Sequence, residues 1–203
     1  MSKLNVDQKA IIDLLSDKKA DFLIPDYQRP YAWSEEQCQT LWDDIFLFSF
    51  PDNNYEAFDD NEEYFLGSIV TYKNENGKSE VIDGQQRLTT LMLMLRAFYD
   101  KFESMKDKNS ILTRDRIEKC IWKTDTFGTA DKNTLKIDSE VATDNDKDEF
   151  LDLLRTGVVK KGSKSPYVLN YQFFQKKIDE FLQEFPSFFP YLPARILSNC
   201  ILL

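Results

Sequence analysis

Val81-Ile82-Asp83-Gly84-Gln85-Gln86-Arg87-Leu88-Thr89-Thr90 is the stretch whose reading decides the fold. A strand pattern, Tyr64 to Tyr72 and then Glu80 to Ile82 after a polar turn, runs into Asp-Gly-Gln-Gln-Arg. The run Leu88 to Phe102 then reads as a helix apolar nearly all round, and therefore buried. A strand, a tight turn and a helix start in that order make a natural phosphate site. Gly84 lets the backbone turn sharply and approach a ligand. The first amides of the new helix have no carbonyl partners, and its dipole favours an anion there. Arg87 adds a planar fork of donors suited to phosphate oxygens, and Asp83, the one acid of the turn, is placed to hold a metal ion or orient a water. Asp83 and Gln86 also have the spacing of a capping box, on which reading the motif only starts a helix. Four polar side chains in the five positions from Asp83 to Arg87, where a cap needs two, weigh toward a site.

Upstream, Phe22 to Trp33 is a short extended stretch broken by Pro25 and Pro30, which should hold Tyr27, Gln28 and Arg29 in a rigid, non-helical presentation. An arginine between aromatics on such a loop makes a good ligand wall. The competing reading makes Tyr31 and Trp33 core anchors and puts Arg29 in a surface ion pair. Ser34 to Gln37 is a capping box, and the spacing of Cys38, Leu41, Trp42, Ile45 and Phe46 predicts a helix from about Glu35 to Phe48. Tyr64 to Tyr72 reads as one buried strand, with Gly67 marking a bulge or a close backbone approach, and Asn74 to Lys78 as a hairpin turn. If Gly67 faces Gly84, a ligand could lie between them.

The flanks are plainer. Val6 to Leu15 has the spacing of a short amphipathic helix, and Asp52 to Glu63, with six acids and no base, reads as a solvated loop. Further on, the pattern predicts a helix over Arg114 to Trp122, a loop over Asp125 to Asn133 and a short strand at Thr134 to Ile137. Helices are expected from Asp146 to Leu154, ended by Gly157, and from Tyr171 to Phe185. Lys160 to Pro166 is the one basic loop and reads as a solvated linker. Ile196 to Leu203 looks like a strand entering a core. An apolar end of this kind suggests a single domain over 1–203 cut short at its C-terminus, whose open strand edge favours a homo-oligomer.

Composition narrows the chemistry. A chain of 203 residues, 42% hydrophobic and 14% aromatic, is long enough to build a large core. No apolar run approaches the roughly 20 residues that span a bilayer, and the N-terminus lacks a signal layout, so the expected address is cytoplasmic with no membrane partner. Cys38, Cys120 and Cys200 are far apart and odd in number, which reads as buried thiols. Histidine is absent, so no Ser-His-Asp triad, Cys-His pair, histidine-bound zinc or HNH centre can be built from this chain. A net charge of −9 argues against an extended nucleic-acid groove.

Taken together, the ordered segments Ile24 to Trp33, Leu41 to Ile45, Tyr64 to Val70 and Ile82 to Leu91 resemble the N-terminal domain of GmrSD-type restriction endonucleases and their relatives in phage defence. The likeness is tight over Ile24 to Leu95 and looser beyond, where the helical stretch from Asn170 to Phe181 is similar. The resemblance implies an α+β fold of the ParB and sulfiredoxin type, with nucleoside triphosphate hydrolysis at the Asp-Gly-Gln-Gln-Arg motif. It also implies a C-terminal HNH-type nuclease, absent here, that cuts foreign and often modified DNA. On that basis Asp83, Gln85, Gln86 and Arg87 are the catalytic set, and Asp83 acts on Mg2+ or water. Tyr27, Gln28, Arg29, Gly84, Arg87 and Thr89 are the nucleotide-binding set. The alternative is a DNA- or protein-binding module of the same fold that turns nothing over.

Overall fold

Short strands and longer amphipathic helices alternate along the chain. The computed structural model, which describes residues 6–203, gathers the strands into three small sheets around one long buried helix. In chain order, β1 (Lys9–Ala10) runs straight into α1 (Ile11–Leu15), followed by β2 (Phe22–Ile24) and α2 (Glu35–Ser49). Two 3-10 turns, Pro51–Asn53 and Tyr55–Ala57, cross the acidic loop to β3 (Tyr64–Gly67), β4 (Val70–Lys73) and β5 (Ser79–Asp83). Then come α3 (Gln85–Glu103), α4 (Lys108–Ile121), the hairpin β6 (Trp122–Thr124) and β7 (Ala130–Leu135), and β8 (Ile137–Ser139). The chain closes with α5 (Lys147–Thr156), α6 (Pro166–Glu184), α7 (Tyr191–Asn199) and β9 (Cys200–Leu202). The architecture is α+β, as expected.

The sheet that matters for function has the order β4-β5-β2-β8. β2 lies parallel to β5, with Leu23 opposite Glu80, and parallel to β8, with Leu23 opposite Asp138, while β4 closes the edge antiparallel to β5. The carboxyl ends of three neighbouring parallel strands therefore point the same way. A second sheet, β1-β9-β3, joins the two ends of the described chain.

Local rules account for the element boundaries. Ser34 and Gln37 form the capping box of α2, with the Ser34 amide donating to Gln37 Oε1 at 2.9 Å. Gly157, at φ 70°, ends α5 in the left-handed conformation that L side chains avoid. α3 is buried on nearly every face and packs against α4 and α6. Phe98 and Phe102 from α3 meet Phe181 of α6 and Phe189 in an aromatic cluster, the Phe102 and Phe189 rings 4.9 Å apart. Each such fully buried side chain contributes roughly 1.5–3 kcal/mol of transfer free energy.

Four expectations need correction. Tyr64 to Tyr72 is two strands in different sheets, and β4 is exposed along its length; Gly67 at φ 125° turns the chain between them. Val6 to Leu15 is helical only from Ile11, because Lys9 and Ala10 pair with β9. Asp125 to Thr129 is the loop expected there, but Ala130 to Asn133 belongs to β7, so the segment is one side of a hairpin. Ile196 to Asn199 belongs to α7, and the strand that follows is the centre of its sheet, with β1 on one side and β3 on the other, so it leaves no open edge. The three cysteines are buried free thiols. Among the described residues, no helix is long and apolar enough to cross a membrane.

Candidate functional site

Both polar motifs leave the carboxyl ends of adjacent parallel strands: Pro25 to Trp33 follows β2, and Gly84 to Arg87 follows β5, whose last residue is Asp83. Crevices at the carboxyl ends of parallel strands are where ligands of open α/β sheets bind. The two loops are stitched together by glutamines. Gln28 Nε2 donates to the carbonyls of Ile82 at 2.9 Å and Val81 at 3.2 Å. In return, Gln86 Oε1 accepts from the Ala32 amide at 2.8 Å, and its Nε2 donates to the Pro30 carbonyl at 3.1 Å. Gln86 thus spends both ends of its amide bracketing the upstream loop.

The start of α3 is built around Gly84, which sits at φ 87° as the residue before the helix and offers no side-chain cap. A Cβ there would meet the Ser68 carbonyl oxygen at 2.7 Å, so glycine is needed for both the backbone angle and the close approach. The capping-box reading of Asp83 and Gln86 therefore fails: the capping position is Gly84, and Gln86 points to the other loop. The Gly67 bend does lie against the Gly84 turn, the condition under which a ligand could lie between them, but Arg87 and the Ser68 carbonyl occupy that space. Arg87 lies over Gly67, its guanidinium where a Cβ would be, and donates to the Ser68 carbonyl at 3.2 Å.

The polar groups left available are distinctive. Arg87 is half-buried and, among the described residues, has no carboxylate partner. Asp83 is exposed beside it and Gln85 is buried, and neither side chain is in a hydrogen bond among the described residues. Tyr27 and Arg29 are exposed on the facing loop, and among the described residues Arg29 makes no ion pair of the kind its surface reading required. Thr89 is buried beneath the first turn of α3, away from the surface that the other residues form. Asp83 is not part of any cluster of three or more metal-ligating side chains among the described residues. A magnesium ion completed by waters and phosphate oxygens needs only one or two carboxylates, so this donor set fits that ion and would fit calcium or zinc poorly.

Beneath the site runs a polar network that the motifs alone do not disclose. Tyr31 and Thr90 hydroxyls are 2.8 Å apart, and Thr90 donates to the Gln86 carbonyl at 2.8 Å. Asn170 of α6 donates to the Tyr31 hydroxyl at 2.9 Å and to the Trp33 carbonyl at 2.8 Å. Tyr31 stacks on Tyr167, whose hydroxyl donates to the buried Asp144 on the loop after β8. Burial raises the Tyr31 and Tyr167 hydroxyls above their ordinary range, so both stay protonated. Tyr31 is the core anchor that one reading of its loop proposed. Asn170 could have been noticed as the polar residue on an otherwise apolar helix face.

A family model described as the N-terminal domain of GmrSD restriction endonucleases matches residues 11–201. A comparison with curated proteins finds no match. The matched span takes in both glutamine-stitched loops, the helix behind them and the closing strand, and the chain accordingly belongs to the GmrSD restriction endonuclease N-terminal domain family, a family of restriction systems in phage defence.

Proposed function

We propose that this chain binds and hydrolyses a nucleoside triphosphate and uses that cycle to gate DNA restriction in the cytoplasm, on a core of the ParB and sulfiredoxin type. The observation that carries the reading is Arg87, a half-buried cation without a carboxylate partner among the described residues, at an uncapped helix start opened by Gly84. A cation held in that state is suited to an anionic ligand. Phosphate oxygens would take the first amides of α3 and the Arg87 guanidinium, and Arg29 with Tyr27 would close over them from the facing loop. Asp83 would hold Mg2+, which when bound neutralises phosphate charge. Gln85, its amide uncommitted, is suited to orienting the attacking water. Gln86 and Gln28 hold the two walls at a fixed spacing. DNA cutting by an HNH centre belongs to a different chain segment or a partner, since this sequence contains no histidine.

A second reading has its own support. Tyr27, Val70, Tyr72 and Ile82 are large apolar side chains exposed on the same loop and strands, a surface suited to docking DNA or protein without turnover. The deciding experiment is thermal shift with each common nucleoside triphosphate, paired with magnesium-dependent phosphate release. A ligand at about one hundred times its dissociation constant stabilises by about 2.7 kcal/mol. A shift with release supports the hydrolase, a shift without release supports nucleotide binding without turnover, and no shift with any nucleotide rejects nucleotide binding and favours the docking module.

A further inference from the structure

The loop that carries Tyr27 and Arg29 is fastened to its neighbours by two glutamines. Gln28 ties it to the end of β5, and Gln86 ties Pro30 and Ala32 to the start of α3. Both fastenings run to the same side, and two points on one side leave a loop free to pivot about the line between them. A third hold, from a different element, is needed to fix where Tyr27 and Arg29 point. That hold comes from α6, which lies outside both motifs.

Tyr167 and Asn170 stand three positions apart on α6, so they share one face of that helix, and both are buried. Their polar tips serve opposite ends of the loop. At its downstream end Asn170 donates to the Trp33 carbonyl at 2.8 Å and to the Tyr31 hydroxyl at 2.9 Å, which uses both protons of its amide. At its upstream end the hold is indirect. The Tyr167 hydroxyl donates to Asp144 on the loop after β8, and two residues earlier on that loop the Ala142 amide donates to the Asp26 carbonyl at 3.1 Å. The Tyr31 and Tyr167 rings, stacked 4.8 Å apart, join the two ends. Tyr27 and Arg29 lie exposed between them.

We propose that Asn170, with Tyr167, is a positioning residue for the Asp83 site: from α6 the pair fixes the backbone that presents Tyr27 and Arg29, and so sets the affinity of the site for its anionic ligand. The affinity part rests on the nucleotide reading given above. Neither residue touches the ligand. Each acts through the loop, and a shift of about 1 Å in a binding group is enough to lose much of its contribution. Asp83, Gln85 and Arg87 stand on the opposite wall and keep their places when α6 lets go.

The test compares the full chain with Asn170→Leu, which removes both donors at similar volume, and Tyr167→Phe, which keeps the ring and loses only the hydroxyl. Hydrogen exchange without ligand comes first. Asn170→Leu should speed exchange of the Ala32 amide, which donates to Gln86, by about tenfold or more, and leave that of Leu88 at the start of α3 little changed. A general loosening of the fold would speed both. Tyr167→Phe should act likewise on the Gln28 amide at the Asp26 end, and it carries the test alone if Asn170→Leu does not fold. Calorimetry then uses ATP or GTP, whichever the unmodified chain binds. Asn170→Leu and Arg29→Ala should each raise the dissociation constant about tenfold, and the double variant should also stay near about tenfold, because the two residues act as one unit. A loss of about a hundredfold in the double variant, or unchanged exchange at both Ala32 and Gln28, would overturn the proposal. If the unmodified chain binds neither nucleotide, the nucleotide reading fails; faster exchange in these variants would still uphold the hold of α6 on the loop, and unchanged exchange would overturn it.

Discussion

At the residue scale, charge and backbone angle separate the roles within Asp83 to Arg87. Asp83 repels phosphate unless a metal lies between them, and it caps nothing, since Gly84 holds the capping position. Asp83→Asn should therefore leave nucleotide affinity and melting temperature nearly unchanged while magnesium-dependent phosphate release falls steeply; unchanged release would remove Asp83 from the catalytic set. Arg87→Ala should weaken nucleotide binding by roughly 1.5–3 kcal/mol, the range for a hydrogen bond to a charged group. Titration calorimetry reads this directly. Gly84→Ala meets two obstacles, the left-handed backbone at φ 87° and the Ser68 carbonyl. The backbone alone costs about 1–2 kcal/mol, so the variant should melt lower even without ligand, in contrast to Asp83→Asn.

At the element scale, the bracket between the two loops makes a different prediction. Gln86→Ala leaves the Ala32 amide and the Pro30 carbonyl without their partner, at about 1–3 kcal/mol for an unsatisfied buried group. Nucleotide binding and stability should fall together in this variant, whereas Arg87→Ala should cost binding far more than stability. The same residues show what local sequence can and cannot disclose. The α2 capping box and the turn from β5 into α3 were legible because their signals lie within four or five residues. Convergence of the two polar loops was a fair inference from their shared character. The role of Gln86 was not legible, because its partners lie more than fifty positions upstream and its spacing to Asp83 mimics a cap. Tyr64 to Tyr72 read as one strand for a related reason: Gly67 marked an irregularity, but the pairing with β9 that assigns its two sides to different sheets comes from far along the chain. At Ile196 to Asn199 a short apolar run fits helix or strand equally, and tertiary packing decided.

At the scale of the whole molecule, buried titratable groups set the response to pH. Burial pushes the Cys38, Cys120 and Cys200 thiols up to about 12, and the Tyr31, Tyr167 and Tyr171 hydroxyls also rise. A group with a raised folded pKa holds its proton more tightly in the native state, so the stability it contributes is complete below the unfolded pKa and is lost as pH climbs. For the thiols the loss begins near about pH 8.5. Melting temperature should accordingly fall from neutral pH into the alkaline range, and a thiol reagent at neutral pH should label the native chain no faster than it unfolds. Rapid labelling of all three thiols in the native state would contradict their burial.

The sheet that joins Lys9 and Ala10 to Ile201 and Leu202, with β3 on its far side, also governs when folding can finish. During synthesis β1 and β3 leave the ribosome long before the strand that must sit between them. Until β9 emerges, both wait with open edges, and Ile69, whose amide donates to the Leu203 carbonyl, lacks its partner beside Arg87. The backbone beside Arg87 is therefore completed only once β9 has emerged, which makes the proposed ligand site depend on the arrival of that strand.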